Sequence, residues 1–245
     1  MNQNTGDNLR YVAHKRRVRE DGRFVTGKGK FVQDVALPEP VHAAVLPSPH
    51  PRARILSIDT TAAEALDGVQ IVLTGAQMAM DCNPIRLGLK LPEVKWYPLA
   101  VDMTRYAGEW VAIVVADNAY IAEDALELIQ VDYEPLAAVV DPEQAFAETD
   151  LYVHPGHGSN VLYHGNFLWG DVDGDFAAAD DSLTFRARWG RSSTVPIETF
   201  GALARWDEGT EILDIWASIQ MPNFVELLAN TLGYPLNSIR LHQDV

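Results

Sequence analysis

Trp110-Val111-Ala112-Ile113-Val114-Val115-Ala116, followed by the run from Asn118 to Gln130 (NAYIAEDALELIQ) and then Val131-Asp132-Tyr133-Glu134-Pro135, is the stretch that decides the fold. The first segment is apolar and rich in β-branched residues, which predicts a strand buried on both faces. In the second, Ala119, Ile121, Ala122, Ala125, Leu126 and Ile129 recur at helical spacing and make one apolar face. The third leaves that helix as a strand end. Strand, helix and strand at this spacing predict a mixed α/β (α+β) architecture, a sheet packed by one main helix.

Upstream, the same unit extends back to about residue 21. Lys30 to Val35 alternates and predicts a short strand. Val41 to Leu46 predicts a second, apolar enough to be buried on both faces, and Ala53 to Thr60 a third. Thr61 to Leu66 favours a short helix stopped by Asp67-Gly68, and Val69 to Thr74 is β-branched and reads as another strand. A loop is expected from Gly75 to Pro98, which holds Pro84, Pro92 and Pro98.

Downstream, residues 141–166 carry Pro142, Pro155, Gly156, Gly158 and Gly165 with little periodicity and read as a linker. The expected division is an N-terminal extension at 1–20, polar at Met1 to Asn8, one domain at 21–140, the linker, and a second unit at 167–245. In that unit strands are expected at Ser182 to Trp189, Thr199 to Trp206 and Glu211 to Ile219. A Pro222-opened helix from Asn223 to Leu232 follows, with Phe224, Leu227, Leu228 and Leu232 on one face and Gly233 as its stop. Ser238 to Val245 reads as a further strand ending abruptly on an apolar residue. Strands need partners, so this second unit is expected to be incomplete and finished by another chain.

Composition narrows the function classes. Of 245 residues, 47% are hydrophobic and 22% charged, which is ordinary for a globular chain with a real core. The formal net charge of −15 repels phosphate backbones and argues against a nucleic-acid partner. No apolar run approaches the length of a membrane span. The basic run His14 to Glu20 is followed by no apolar stretch, so it reads as a solvated strand end instead of an export signal, with the cytoplasm as default location. Cys82 is the one cysteine, which excludes an internal disulfide, a Cys-rich zinc site and a self-contained iron–sulfur cluster. It reads as a core or edge residue.

Most constellations have a plainer structural reading. Gly170 to Asp175 begins like a calcium loop, but Ser182 stands where a late carboxylate is needed, so an acidic turn entering a helix at Phe176 to Ala179 is expected. His154, His157 and His164 lie in the linker without the ordered spacing of a zinc site, and His50 reads as a turn residue. Gly27-Lys28-Gly29 precedes a strand and so cannot serve as a phosphate loop, and no nucleophile elbow is present. Gln220 is different: it follows a strand and precedes Pro222, at a strand-to-helix switch where ligands favour α/β folds. Two readings stand for it, a polar cap of the following helix or a neutral amide that donates to a bound group.

Several segments then resemble, in order and spacing, one known family. They are Thr26-Gly27-Lys28-Gly29-Lys30-Phe31 with Asp34 to Pro38, Ser48 to Ile55, Gly68-Val69 with Leu73-Thr74-Gly75, Arg105 to Glu109 and Val131 to Leu136. These resemble the hammerhead domain of the large subunit of the molybdenum hydroxylases, the xanthine dehydrogenase, aldehyde oxidase and carbon monoxide dehydrogenase superfamily. Gly170-Asp171-Val172, Pro196-Ile197-Glu198-Thr199, Gly201, Trp206-Asp207 and Ser218 to Pro222 continue the likeness, which covers nearly the whole chain from about Val18. The implied fold is a hammerhead domain followed by an incomplete molybdopterin-binding domain.

The resemblance implies a molybdopterin-type molybdenum cofactor shared with a partner chain. It places Gln220 at the family's glutamine that contacts the apical oxo ligand of molybdenum, and Glu198 at an acidic Pro-x-Glu position near the site or as a structural carboxylate. The implied reaction hydroxylates an aldehyde, N-heterocycle or similar small-molecule substrate with water-derived oxygen. Electrons would leave through iron–sulfur and usually FAD-bearing subunits. In this family a glycine-rich loop and a general-base glutamate follow, and the sequence stops at Asp244-Val245 just before that loop. A split large subunit, or a truncation, is therefore expected, with a second molybdopterin-binding subunit supplying both and this half inert alone. The alternatives are a hydratase on the same scaffold and a non-catalytic assembly module.

Overall fold

The computed structural model describes residues 18–86, 94–147, 150–190, 192–221 and 223–243. The expected N-terminal extension as far as residue 17, with its basic His14 to Arg17, lies outside the described residues, as do Pro92, Pro222 and the terminal Asp244-Val245. In chain order the elements are α1 (Asp21–Val25), β1 (His42–Pro47), β2 (Ala53–Asp59), α2 (Thr61–Glu64), β3 (Val69–Thr74), α3 (Gly75–Asp81), β4 (Met103–Thr104), β5 (Trp110–Ala116), α4 (Ala119–Leu128), β6 (Gln130–Pro135), α5 (Pro142–Phe146), α6 (Val172–Ala178), β7 (Ala202–Asp207), β8 (Ile212–Ala217), α7 (Phe224–Leu232) and β9 (Ile239–His242). The mixed α/β class expected from the sequence is the class observed. The chain forms two compact units, each discontinuous in sequence. The larger is Leu37–Val195 with Met221–Ile239; the smaller is the residues up to Ala36, Pro196–Gln220 and the stretch from Arg240.

The larger unit holds two antiparallel sheets, ordered β1-β5-β3 and β4-β2-β6. The decisive strand β5 is central in the first, with Val114 opposite Ala44 on one side and Val72 on the other. Ala112, Val114 and Ala116 are fully buried, and so are Ala122 and Ala125 on α4, which join the same core cluster. Small side chains on both partners let the helix pack closely on the strand. Asn118 begins α4 by accepting the N–H of Ile121 at 3.0 Å. The expected single sheet around this helix is replaced by two. Both edges of β5 are taken, so β6 finds its ladder on β2, where Asp59 opposes Gln130 and Arg54 opposes Glu134.

Five further expectations are corrected. β1 is not buried on both faces: His42, Ala43 and Pro47 are exposed, and among the described residues the strand lies at the edge of its sheet, paired with β5. The expected loop after Thr74 opens instead with α3, whose capping box is legible in hindsight: the Gln77 side chain accepts the Thr74 N–H at 2.7 Å. At Gly75 a Cβ would lie 1.8 Å from the Ala100 carbonyl oxygen, so only glycine fits that close approach. The strand expected at Lys30 to Val35 is a 3-10 turn at Val32–Asp34, closed by Asp34 accepting the Phe31 N–H at 2.8 Å. The strand expected at Ser182 to Trp189 forms no ladder among the described residues. The helix expected at Phe176 to Ala179 begins earlier, at Val172, where Asp171 accepts the Gly174 N–H at 3.1 Å.

In the smaller unit the sheet order is β7-β8-β9, with β7 and β8 antiparallel from Ala202 opposite Ala217 to Asp207 opposite Ile212. Gly233 ends α7 in the left-handed region at φ 72°, as its place in the sequence predicts. The central role of β5 has a measurable consequence. Val114→Ala removes two fully buried carbons and leaves a void, and urea unfolding should show a loss of about 2 kcal/mol.

Candidate functional site

Strand β8 presents its C-terminal end as a pinned platform. Ser218, just past the strand, is tied to Gly201 twice: its N–H donates to the Gly201 carbonyl at 3.2 Å and its Oγ accepts the Gly201 N–H at 3.0 Å. The Ser218 hydroxyl faces the Thr199 carbonyl at 3.4 Å. Gln243 donates from Nε2 to the Ile219 carbonyl, which holds the next residue from the β9 side. The chain then reaches Gln220, which is exposed and whose amide makes no hydrogen bond among the described residues.

Glu198 reaches the same place from the segment before β7. It is half-buried, and its Oε1 accepts the Val32 N–H at 2.8 Å. A carboxylate in that bond holds the 3-10 turn against the segment Pro196 to Phe200. Glu198 and Gln220 both line one cavity of about 650 Å³, together with Phe31, Phe200, Trp216 and His242. The two residues singled out in the sequence are thus brought together within the smaller unit.

Beneath the wall lies a network that sequence reasoning missed. Asp214 is buried, and both of its carboxylate oxygens are used: His242 Nε2 lies 2.7 Å from Oδ1, and Arg205 Nη2 donates to Oδ2 at 2.9 Å. The His242 ring stacks on Trp216 at 4.7 Å and 16°, and the Arg205 guanidinium lies over the same indole at 5.7 Å. Two hints existed. Asp214 and Trp216 alternate along one strand with Ser218 just beyond it, and Arg205 is the direct cross-strand neighbour of Asp214. That second hint needs the hairpin register, which the sequence leaves open.

The hydrogen bond from His242 first, and that from Arg205 second, hold the Asp214 carboxyl below the usual carboxylate range. A lowered native value means that the unfolded chain takes up the proton first. Stability from this group is therefore complete above the ordinary value of 3.8 and is lost as pH falls through the native one. Asp214→Asn should be less stable than the parent at pH 7, and the gap should narrow at pH 3. Urea unfolding at the two pH values measures it.

The remaining candidates are structural. Among the described residues no group of three or more His, Cys, Asp and Glu could hold a metal ion. His157 Nε2 lies 3.3 Å from the Val161 carbonyl, and burial, then the Arg105 charge, push the His154 imidazole below its ordinary value. Burial raises the Cys82 thiol, helped by Asp81, and its Sγ lies 3.5 Å from Met78 Sδ, surroundings unsuited to a nucleophile. His50 packs edge-on against Tyr133 at 5.0 Å. Burial likewise raises the carboxyl of Glu109, which is buried beside Arg105.

Comparison with known proteins covers most of the chain. Residues 26–137 match the family model of the aldehyde oxidase and xanthine dehydrogenase a/b hammerhead domain, and residues 153–244 match that of the molybdopterin cofactor-binding domain. The chain is 35% identical over 219 residues to the nicotine 6-hydroxylase large subunit of Paenarthrobacter nicotinovorans, a match covering 88% of this chain and 27% of that protein. It is 33% identical to the carbon monoxide dehydrogenase large chain of Afipia carboxidovorans, covering 96% of this chain and 30% of that one. Quinoline 2-oxidoreductase from Pseudomonas putida 86 superimposes with a TM-score of 0.75 at 34% identity, over 92% of this chain and 29% of that structure's. The chain thus spans less than a third of the length of each of these relatives.

Proposed function

We propose, as the chain belongs to the aldehyde oxidase and xanthine dehydrogenase family of molybdopterin-binding oxidoreductases, that it forms one wall of the molybdenum-cofactor site of a hydroxylase. The substrate would be an aldehyde, an N-heterocycle or a similar small molecule with an electron-poor carbon. The names of two relatives, a nicotine 6-hydroxylase and a quinoline 2-oxidoreductase, support N-heterocycles within that range. In such a reaction a C–H bond breaks, a C–O bond to a water-derived oxygen forms, and two electrons and two protons leave. The molybdopterin group, when bound, supplies the two-electron redox chemistry.

The observation that carries the reading is the Gln220 amide, free of hydrogen bonds among the described residues and set on the rim of the cavity by a pinned strand end. These residues fit part of such a group. A neutral amide donates a hydrogen bond without adding charge, and its fixed backbone makes that donation preorganised. Phe31, Phe200 and Trp216 give the cavity aromatic walls. Glu198 has one oxygen committed to Val32, which suits it to shaping the wall more than to moving a proton.

The base, in this reading, comes from elsewhere. A second molybdopterin-binding subunit would carry the glycine-rich loop and a general-base glutamate, and an iron–sulfur subunit, with a flavin subunit beyond it, would take the electrons. No helix among the described residues is long and apolar enough to cross a membrane, and we assign the complex to the cytoplasm. This chain alone would be inactive. Within the proposal the domain order is the hammerhead at 21–140, the linker at 141–166 and the first part of the molybdopterin-binding domain at 167–245.

The test is made on the purified complex. Elemental analysis should find molybdenum, and Gln220→Leu should lower turnover of an N-heterocycle by roughly 10²–10³-fold with the complex still assembled. Absence of molybdenum would reduce the chain to an assembly module, and unchanged turnover would remove Gln220 from the site.

A further inference from the structure

Every described residue from Leu162 to Gly190 is exposed, although the stretch is rich in large apolar side chains. Phe167 is 91% exposed, Trp169 90%, Leu183 87%, Phe185 79% and Trp189 91%. Single exposed apolar residues are ordinary on a protein surface, but a concentration of this kind marks an interaction surface. From Ser182 to Trp189 the pattern has a period of two. Leu183, Phe185, Ala187 and Trp189 alternate with Ser182, Thr184, Arg186 and Arg188, the signature of a strand buried on one face. No ladder partner exists for this segment among the described residues.

We infer that Ser182 to Trp189 docks by strand addition onto a sheet of the polypeptide that carries the remainder of the molybdopterin-binding part, turning Leu183, Phe185 and Trp189 into that partner's core. The inference rests on the partner assigned under the proposed function. The occupant is argued from two facts. The segment lies within residues 153–244, the region that matches the molybdopterin cofactor-binding domain. In each of the three relatives most of the polypeptide lies outside the match to this chain, so there the equivalent region is accompanied by far more protein than is present here.

Charge argues against a second copy as the occupant. The chain carries −15 overall, and two copies of this strand paired antiparallel would bring the Arg186 and Arg188 side chains of one face together. Main-chain hydrogen bonding would supply affinity, and pockets for alternate side chains the register.

The experiment uses the complex purified through a tag on this full-length chain, its polypeptides identified by mass spectrometry. Amide exchange at 182–189 should slow by on the order of 100-fold relative to the chain alone when a molybdopterin-binding polypeptide is bound. Phe185→Asp combined with Trp189→Asp should weaken that association by on the order of 100-fold. The far-UV circular dichroism of the variant chain should stay unchanged, since both side chains are exposed in the free chain. A molybdopterin-bearing complex in which 182–189 exchanges as fast as in the free chain overturns the inference and leaves the proposed function standing. Protection that arises in a dimer of this chain alone overturns it in favour of self-pairing. If no molybdopterin-binding polypeptide associates, both fall.

Discussion

Strand β5 is hydrogen-bonded along both edges, and Ala112, Val114 and Ala116, which pack with α4, are fully buried. Its ladders to β1 and β3 leave Ala112, Val114 and Ala116 to be covered by the alanine face of α4. Close approach depends on the small side chains of both partners, because a larger residue at any of these buried sites would have to displace a backbone. Other features of the larger unit follow. With both edges of β5 occupied, β6 pairs with β2 and a second sheet forms. The edge strand β1 keeps both ends in solvent.

In the smaller unit the comparable constraint is the end of β8. A residue that must present a hydrogen-bond donor to a bound group gains from a backbone that does not move, since the cost of ordering has been met in folding. Ser218 bound to Gly201 and Gln243 bound to Ile219 supply that rigidity on either side of the approach to Gln220. Asp214 supplies it one layer down by binding His242 and Arg205 with separate oxygens. The stack of His242 on Trp216 carries the order from that carboxylate into the cavity wall. The buried Asp214 carboxylate is satisfied on both oxygens, whereas the Gln220 amide makes no hydrogen bond among the described residues.

Much of this was legible in the chain. The strand Trp110–Ala116 and the helix after it were readable because a run of β-branched residues and a 3.6-residue apolar period are local signals. The family resemblance was readable because residues at turns and element ends, such as Gly75, Gly108 and Pro135, stand in the family's order and spacing. Glu198 and Gln220 stood out for their neighbours in sequence. Asp214, Ser218 and His242 did not, since each owes its place to a residue brought near by strand pairing. The short helix α3 was overlooked beside its prolines, although Thr74 and Gln77 spelled its cap.

Local signals, then, were determined by the sequence alone: the strand Trp110–Ala116 with the helix after it, the stop at Gly233, and the family resemblance. Only the tertiary structure decided which strands share a sheet, because pairing depends on which edges are still open once β5 is enclosed. It alone also showed that Glu198 and Gln220 line one cavity and that Ser182 to Trp189 stands without a ladder among the described residues. Hydrogen-bond partners distant in sequence are chosen by competition for a limited number of edges, and that competition is settled only when the whole chain is folded.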